Sequence, residues 1–414
     1  MVMLTPLDIE LVLNSHCQHS KQTLITVAEN YLEKLQLRPN SIISNFDNWS
    51  QEDKPKYGHL FQHIVIGDVP DPVTIILDLK KCNVNWFIYS LDADEASLHV
   101  ENDSDGCEVN MASHISLPSK SLFQLWESLF YEKNIKGNLL KYARTMMKFS
   151  DKKVNSTLVN CNKVILLHGP PGTGKTSLCK ALAQKLSIQM KNSFPTGGCL
   201  IEINSHSLFS KYFSESAKLV HNMFTKIRLI CEDKNILVCV LMDEVESLTR
   251  ARDQCSSGSE PSDAIRVVNA MLTQIDNIKQ YPNVLILATS NLTGTIDLAF
   301  VDRADVKEYL GLPGIPAIYN IYYSSITELI RVNIIKGDDI SDQAGDTGDR
   351  FSQRLTKICE KSIGLSGRSL RKIPFLADAL FLKGNQPDVY DFLDAMEQAI
   401  EKELSDRNYF IAPK

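Results

Sequence analysis

The sequence predicts an α/β protein. A parallel sheet with helices on both faces carries a phosphate-binding loop, a small α/β domain precedes it and a helical domain follows. Three observations predict this. The octapeptide Gly169-Pro170-Pro171-Gly172-Thr173-Gly174-Lys175-Thr176 satisfies the pattern G-x-x-x-x-G-K-[ST] at every constrained position. From 163 to 310, apolar strand runs alternate with helical spacings, the signature of βαβ units with right-handed crossovers. From about 316 onward the periodicity is helical.

Taken in order, residues 1–110 read as an N-terminal recognition domain. Leu24, Val27, Ala28, Tyr31, Leu32 and Leu35 recur at helical spacing, and strand-like runs follow at Ile64–Ile66, Val73–Leu77 and Trp86–Tyr89. The turn-rich stretch Asn102-Asp103-Ser104-Asp105-Gly106 closes it. Residues 111–130 read as a linker. Ile135, Leu139, Leu140, Ala143 and Met147 then share one helical face, while Lys136, Lys141, Arg144 and Lys148 point elsewhere as a solvated basic face. The large domain spans 131–312, with strands near 163–168, 199–204, 236–242, 284–290 and 306–310. A small helical domain occupies 313–414, broken by the acidic stretch Gly337 to Asp349, which reads as a loop.

Composition narrows the function classes. A formal net charge of −6 argues against nucleic acid as the main partner. No secretory signal and no apolar run of membrane-spanning length is seen, the longest resembling Ile236–Met242. Ten cysteines without a C-x-x-C pair suggest neither a disulfide framework nor a zinc site, and Cys179, Cys199 and Cys239 sit in core-like patterns. A soluble intracellular protein is expected, with no membrane and no direct nucleic-acid partner.

The chemistry begins at the phosphate loop. The run Val164-Ile165-Leu166-Leu167 enters it, and a helix marked by Leu178, Ala181, Leu182 and Leu186 leaves it. Glycines there let backbone N–H groups curl around phosphates, and the helix N-terminus adds its positive end. ATP is therefore the expected ligand, bound by Gly169 through Ser177. Lys175 reaches the β- and γ-phosphates and Thr176 offers a hydroxyl to Mg²⁺. A second apolar strand, Ile236–Met242, ends in Asp243-Glu244, at the sheet edge where open α/β folds bind ligands. Asp243 suits Mg²⁺, and Glu244 suits polarisation of an attacking water. The strand Val284–Ser290 delivers Asn291 to the same edge, where an amide can orient water.

In this order and spacing, these elements resemble the AAA+ ATPase family over about 130–310, with the remainder resembling its helical lid. The resemblance implies that Arg368, within Gly364-Leu365-Ser366-Gly367-Arg368, contacts the phosphates of its own subunit's nucleotide. It also implies that Arg303, within Phe300-Val301-Asp302-Arg303, reaches a neighbouring site as an arginine finger; as a surface residue it has Asp302 for an obvious ion-pair partner. The segment Asp302-Arg303-Ala304-Asp305 departs from the family's Arg-Pro-Gly-Arg-Phe context, so Arg250, Arg252 and Arg266 stay in contention for the intersubunit role. Tyr212 and Phe213 lie where hexameric members carry an aromatic pore loop, or else pack down as a staple before the next helix.

Longer strings narrow the resemblance. Phe149–Asn155, Glu202–Lys211, Glu260–Ala270 and Gly364–Arg368 resemble the pachytene checkpoint protein 2 family. That resemblance implies a homohexameric ATPase that converts closed HORMA-domain proteins to open forms, with a HORMA-like adaptor presenting the substrate. Spindle-checkpoint silencing and meiotic chromosome-axis control are the implied settings. The implied location is nucleus and cytoplasm, with chromosomes or kinetochores as sites of action. The alternatives are an AAA+ unfoldase for other proteins and a nucleotide-gated binding module.

Overall fold

The computed structural model describes residues 5–14, 19–46, 54–69, 77–93, 97–102, 108–155, 157–203, 216–247, 263–291, 296–337, 350–382, 384 and 386–411. Tyr212, Phe213, Arg250, Arg252, residues 73–76 of the run expected at Val73–Leu77 and most of the acidic stretch before 350 lie outside the described residues. The chain divides into two compact units. One comprises 1–127, 136–167 and 176–308; the other comprises 128–135, 168–175 and 309–414.

The first unit opens with a small sheet. Strand β1 (Thr5–Leu13) is followed by helix α1 (Lys21–Leu32), β2 (Ser41–Ile43), the short α2 (Lys54–Tyr57), β3 (Phe61–Ile66) and β4 (Cys82–Ser90). The strand order is β2-β3-β1-β4, with β1 parallel to β4 and antiparallel to β3. Ser20 caps α1 by accepting the Thr23 N–H, and the helix lays Leu24, Val27, Ala28, Tyr31 and Leu32 onto the sheet. Because strand side chains alternate, Leu7, Ile9 and Leu11 meet α1 while Glu10 and Val12 are buried on the opposite face. The helix and the β3 and β4 runs match the expected positions; β1 was not anticipated.

Next come β5 (Ser97–Asn102), β6 (Glu108–Leu117), α3 (Ile135–Asp151), β7 (Val164–His168), α4 (Lys175–Gln189), β8 (Gly197–Ile203), α5 (Ser216–Cys231), β9 (Ile236–Met242), α6 (Asp263–Ile278), β10 (Val284–Ser290), α7 (Leu298–Val301) and β11 (Val306–Tyr309). A seven-stranded sheet has the order β11-β7-β10-β9-β8-β6-β5. β8, β9 and β10 run parallel, as the alternation of strand and helix predicts. The sheet is longer than expected, because β6 pairs antiparallel with β8 and β5 antiparallel with β6. A boundary at 110 therefore cuts through β6, and 111–117 is strand rather than linker. Polar residues interleave the short apolar runs of β5 and β6, so their place is decided by pairing with β8, which local pattern does not reveal.

Helices α5 and α6 cover one face, packing Val220, Phe224, Ile227, Val268, Met271 and Ile275 with strand residues such as Leu166, Val240 and Ile286. Alternate strand residues such as Leu167, Leu241 and Leu287 are equally buried, so both faces are covered. On α3, Ile135, Leu139, Ala143 and Met147 are buried, whereas Lys141, Arg144 and Lys148 are exposed, as expected of a solvated basic face. Lys136 departs from that face: its ammonium pairs with Asp68 at 2.9 Å and sits over the Trp126 ring.

The second unit contains α8 (Ile315–Arg331), α9 (Arg350–Lys361), α10 (Gly367–Phe381) and α11 (Val389–Ile411). Ile318, Tyr322, Leu355, Ile358, Leu370, Ile373, Phe392 and Met396 form its core. Ser366 caps α10 by accepting the Ser369 N–H.

Candidate nucleotide-hydrolysis site

The phosphate loop follows β7 and leads directly into α4. Within its own unit, Gly169 has φ 143°, and a Cβ there would overlap the Leu310 carbonyl, whose residue donates its N–H to the His168 oxygen at 2.8 Å. Gly172, at φ 77°, would set a Cβ 2.7 Å from Ser366 Oγ. Both positions therefore require glycine. The Arg368 N–H donates to the Gly172 oxygen at 3.1 Å, so the N-terminus of α10 rests on the loop, with the Arg368 side chain exposed beside it. That is where the sequence expects a phosphate contact. Lys175 is buried, and its ammonium donates to the Gly169 and Pro170 carbonyls at 2.9 and 2.8 Å. Tyr131 was not foreseen; its hydroxyl would stand 3.0 Å from a Cβ on Gly174.

The carboxylate edge belongs to the other unit. Thr176 Oγ1 donates to Asp243 Oδ1 at 2.8 Å, and Thr289 Oγ1 donates to the same oxygen. Glu244 takes a left-handed backbone (φ 55°), a conformation costing on the order of 1–3 kcal/mol. Its N–H donates to Thr289 Oγ1 at 3.2 Å, and its Oε1 accepts from Asn291 Nδ2 at 3.1 Å. Thr176, Asp243, Glu244 and Asn291 are thus linked, by hydrogen bonds, at the ends of β9 and β10. Sequence reasoning missed Thr289, the hydroxyl joining the two acidic residues. Glu246, two residues beyond Glu244, is buried, and its Oε1 accepts the Asn291 N–H at 3.1 Å. The Thr176 hydroxyl and Asp243 carboxylate are hard oxygen donors that converge, the donor chemistry Mg²⁺ prefers.

Arg303 is placed differently. Nε and Nη2 donate to the two oxygens of Asp276 at 3.1 and 2.8 Å, and Nη1 donates to the Ala299 carbonyl. The expected partner Asp302 is not the one used. The fork raises the arginine's affinity for its proton; at Asp276 burial pushes the carboxyl up, but the Arg303 fork and the Lys279 ammonium together hold it below the ordinary range. Cys179, Cys199 and Cys239 are buried free thiols, pushed up by burial and thus inert core residues, as expected. Among the described residues, no helix is long and apolar enough to cross a membrane, and no group of three or more His, Cys, Asp or Glu is placed to hold a metal.

Comparison with known proteins agrees with this geometry. Residues 165–312 match the family of ATPases associated with various cellular activities, and 314–404 match the TRIP13-like AAA+ ATPase lid C-terminal domain. The chain is 46% identical over 393 residues to the pachytene checkpoint protein 2 homolog of Homo sapiens, covering 92% of this chain and 90% of the relative. It is 48% identical over 380 residues to the homolog of Danio rerio, with 89% and 88% covered. Its fold matches the structure of C. elegans PCH-2 with a TM-score of 0.76 at 34% identity, over 97% of this chain and all of that one. A chain of an E. coli HORMA:CdnC:Trip13 complex shares the fold alone, with a TM-score of 0.53 at 16% identity, over 70% of this chain and 94% of that one. With the phosphate loop, carboxylate edge and lid all accounted for, the chain belongs to the pachytene checkpoint protein 2 family of AAA ATPases.

Proposed function

We propose that this ATPase works as a homohexameric ring that converts closed, partner-bound HORMA-domain proteins to open forms, with a HORMA-like adaptor presenting the substrate. Family membership supports the reading, and the E. coli Trip13 chain is part of a complex with a HORMA protein. The hydrogen-bonded edge of Thr176, Asp243, Glu244 and Asn291 is the observation that carries the hydrolytic half.

In this reading, residues Gly169 to Ser177 hold the phosphates, with Lys175 at the β- and γ-positions. Thr176 and Asp243 hold Mg²⁺, which would neutralise phosphate charge when bound. Glu244 accepts a proton from the attacking water, and Asn291 fixes the carboxylate that does so. Arg368 contacts the phosphates of its own subunit. A neighbouring subunit supplies an arginine finger from Arg303, Arg250, Arg252 or Arg266, and Arg303 could serve only by leaving Asp276. Tyr212 and Phe213 grip an extended terminal segment of the substrate in the ring's pore. Starting at a terminus matters energetically, since local opening costs from about zero up to the global 5–15 kcal/mol of a domain. The setting is nuclear and cytoplasmic, at chromosomes or kinetochores, in checkpoint silencing and meiotic axis control.

Steady-state ATP hydrolysis by the purified chain, alone and with a folded HORMA protein plus adaptor, tests the reading, with Glu244→Gln as the blank. Stimulation by the folded substrate, absent in the blank, is expected. Turnover without stimulation would detach the ATPase from HORMA substrates, and equal stimulation by an unstructured protein such as casein would favour a general unfoldase.

A further inference from the structure

Helix α4 carries buried charge that the hydrolytic site does not use. Leu182, Ala183 and Leu186 are fully buried on one side, yet Gln184, Lys185 and Ile188 on another are buried as well. A helix buried nearly all round lies between two layers. The second layer here is the N-terminal sheet. Lys185 Nζ stands 2.6 Å from Glu10 Oε1 on β1 and 2.7 Å from Glu127 Oε1, and the three side chains are only 9%, 5% and 11% exposed. The Tyr89 hydroxyl donates to the other Glu10 oxygen at 2.9 Å.

Flanking contacts continue the joint. The Gln184 amide accepts the Ser119 N–H at 2.8 Å and donates to the Ser119 carbonyl at 2.9 Å. Gln189 Nε2 donates to Asp8 Oδ2 at 2.9 Å. Ile188 packs with Val12, Val65 and Tyr89.

A buried ion cluster adds little net stability over an apolar contact of the same shape, but losing one member leaves an uncompensated charge. What this cluster specifies is geometry. α4 begins at Lys175, and Lys185 lies about 15 Å further along the same rigid helix. A displacement of the N-terminal sheet therefore reaches Lys175 and Thr176 through one element.

We propose that Lys185 is a positioning residue for nucleotide turnover: with Glu10 and Glu127 it fixes the N-terminal sheet to the helix bearing Lys175 and Thr176, so that a protein bound to the N-terminal domain alters nucleotide affinity. The second half of this statement rests on the N-terminal domain being the recognition domain.

The test uses the full chain as wild type, Lys185→Met and Lys185→Arg. ATP hydrolysis is followed over a range of ATP concentrations, below the melting temperature of each protein, with and without a HORMA protein and adaptor. Lys185→Met leaves two carboxylates facing each other, and at least a threefold rise in KM with kcat within twofold is expected. Lys185→Arg keeps the charge and stays within twofold of wild type. A lowered melting temperature with unchanged KM means a purely structural cluster and overturns the proposal. Should Lys185→Met not fold, Glu127→Gln leaves Lys185 one carboxylate and is expected to raise KM in the same direction; an unchanged KM there is equally fatal. In the coupling arm, the shift in KM caused by HORMA protein and adaptor in wild type is lost in Lys185→Met, and its retention overturns the coupling. A wild type that shows no such shift sinks the recognition reading and the coupling together, while the basal KM comparison still decides the role of Lys185.

Discussion

Two regions that the sequence singles out, one by its own pattern and one by resemblance alone, are built differently. At the ends of β9 and β10, each polar side chain holds the next: Thr289 joins Asp243 to the Glu244 backbone, and Asn291 holds the Glu244 carboxylate. At the end of α7, Arg303 is turned onto α6 and closes a two-pronged fork with Asp276. The first arrangement holds its reactive groups toward one another at the strand ends. The second satisfies a charge within its own subunit, through charge-assisted bonds roughly twice as strong as neutral ones. Motif position therefore marks where a residue stands in the chain, and the partner it has acquired marks what the residue is committed to.

The sharpest way to break the comparison is at Glu244. Glu244→Gln keeps the shape and the Asn291 contact but removes the base, and ATP turnover is expected to fall about 10²- to 10⁴-fold. Binding of a fluorescent nucleotide should persist. Turnover within tenfold of wild type would remove Glu244 from the chemistry.

Thr289→Val comes next. It deletes the donor to Asp243 and the acceptor of the Glu244 N–H while conserving volume. Groups that orient metal ligands contribute about 10- to 100-fold to metal affinity or activity. Turnover should drop by that range, the Mg²⁺ concentration for half-maximal rate should rise, and Thr289→Ser should restore most of both. An unchanged Mg²⁺ dependence would reduce Thr289 to packing.

Thr289 also shows where sequence reading stops. The phosphate loop is legible because its requirements are local: glycines where the backbone passes Leu310 and Ser366, and a lysine at a set offset. Asp243, Glu244 and Asn291 are legible because strand ends are. A threonine within an apolar strand, by contrast, reads as a β-former. Its role exists only because β9 and β10 pair with Ala288 opposite Met242, bringing the following residues together. β1 escaped notice for a related reason. Leu7-Asp8-Ile9-Glu10-Leu11 does alternate as a half-exposed strand would, but Pro6 breaks its start. The polar face is covered too, α1 lying on one face and α4 on the other, which no local pattern shows. Arg303 has an acidic neighbour in sequence, yet pairs with one a helix away.

The Arg303 region yields a smaller effect. Its guanidinium is partly exposed, so the Asp276 fork contributes about 1 kcal/mol at most to stability. Arg303→Ala and Asp276→Ala are expected to lower the denaturation midpoint slightly, by unequal amounts because Asp276 also pairs with Lys279 at 2.9 Å and Arg303 also holds the Ala299 carbonyl, and to leave turnover within tenfold. A catalytic finger is worth about 10³- to 10⁵-fold instead. A loss of that size in Arg303→Ala, with Asp276→Ala active, would return the arginine to the intersubunit role. Mixing Arg303→Ala with Glu244→Gln subunits would then regain activity that neither has alone.

A last effect, on stability alone and confined to alkaline pH, lies away from both regions, at the start of β7. Lys163 is buried, and its amine donates to the Tyr281 carbonyl and to Ser150 Oγ. Burial pushes its pKa down to about 8 from 10.5. A lowered base favours its neutral form in the folded state, so the unfolded chain binds more protons between those two values. Stability attributable to Lys163 should therefore rise as pH goes from about 8 to 10.5, and be constant below that window. The measurement is the difference in urea-unfolding free energy between wild type and Lys163→Met across pH 7 to 10.5. Subtracting the variant cancels most of the titration common to both. A difference that stays flat or falls with pH would mean that the Lys163 amine is charged in its buried position. In that case the carbonyl and hydroxyl around it would be neutralising the burial penalty, and the base of β7 would hold a paired cation after the manner of Arg303.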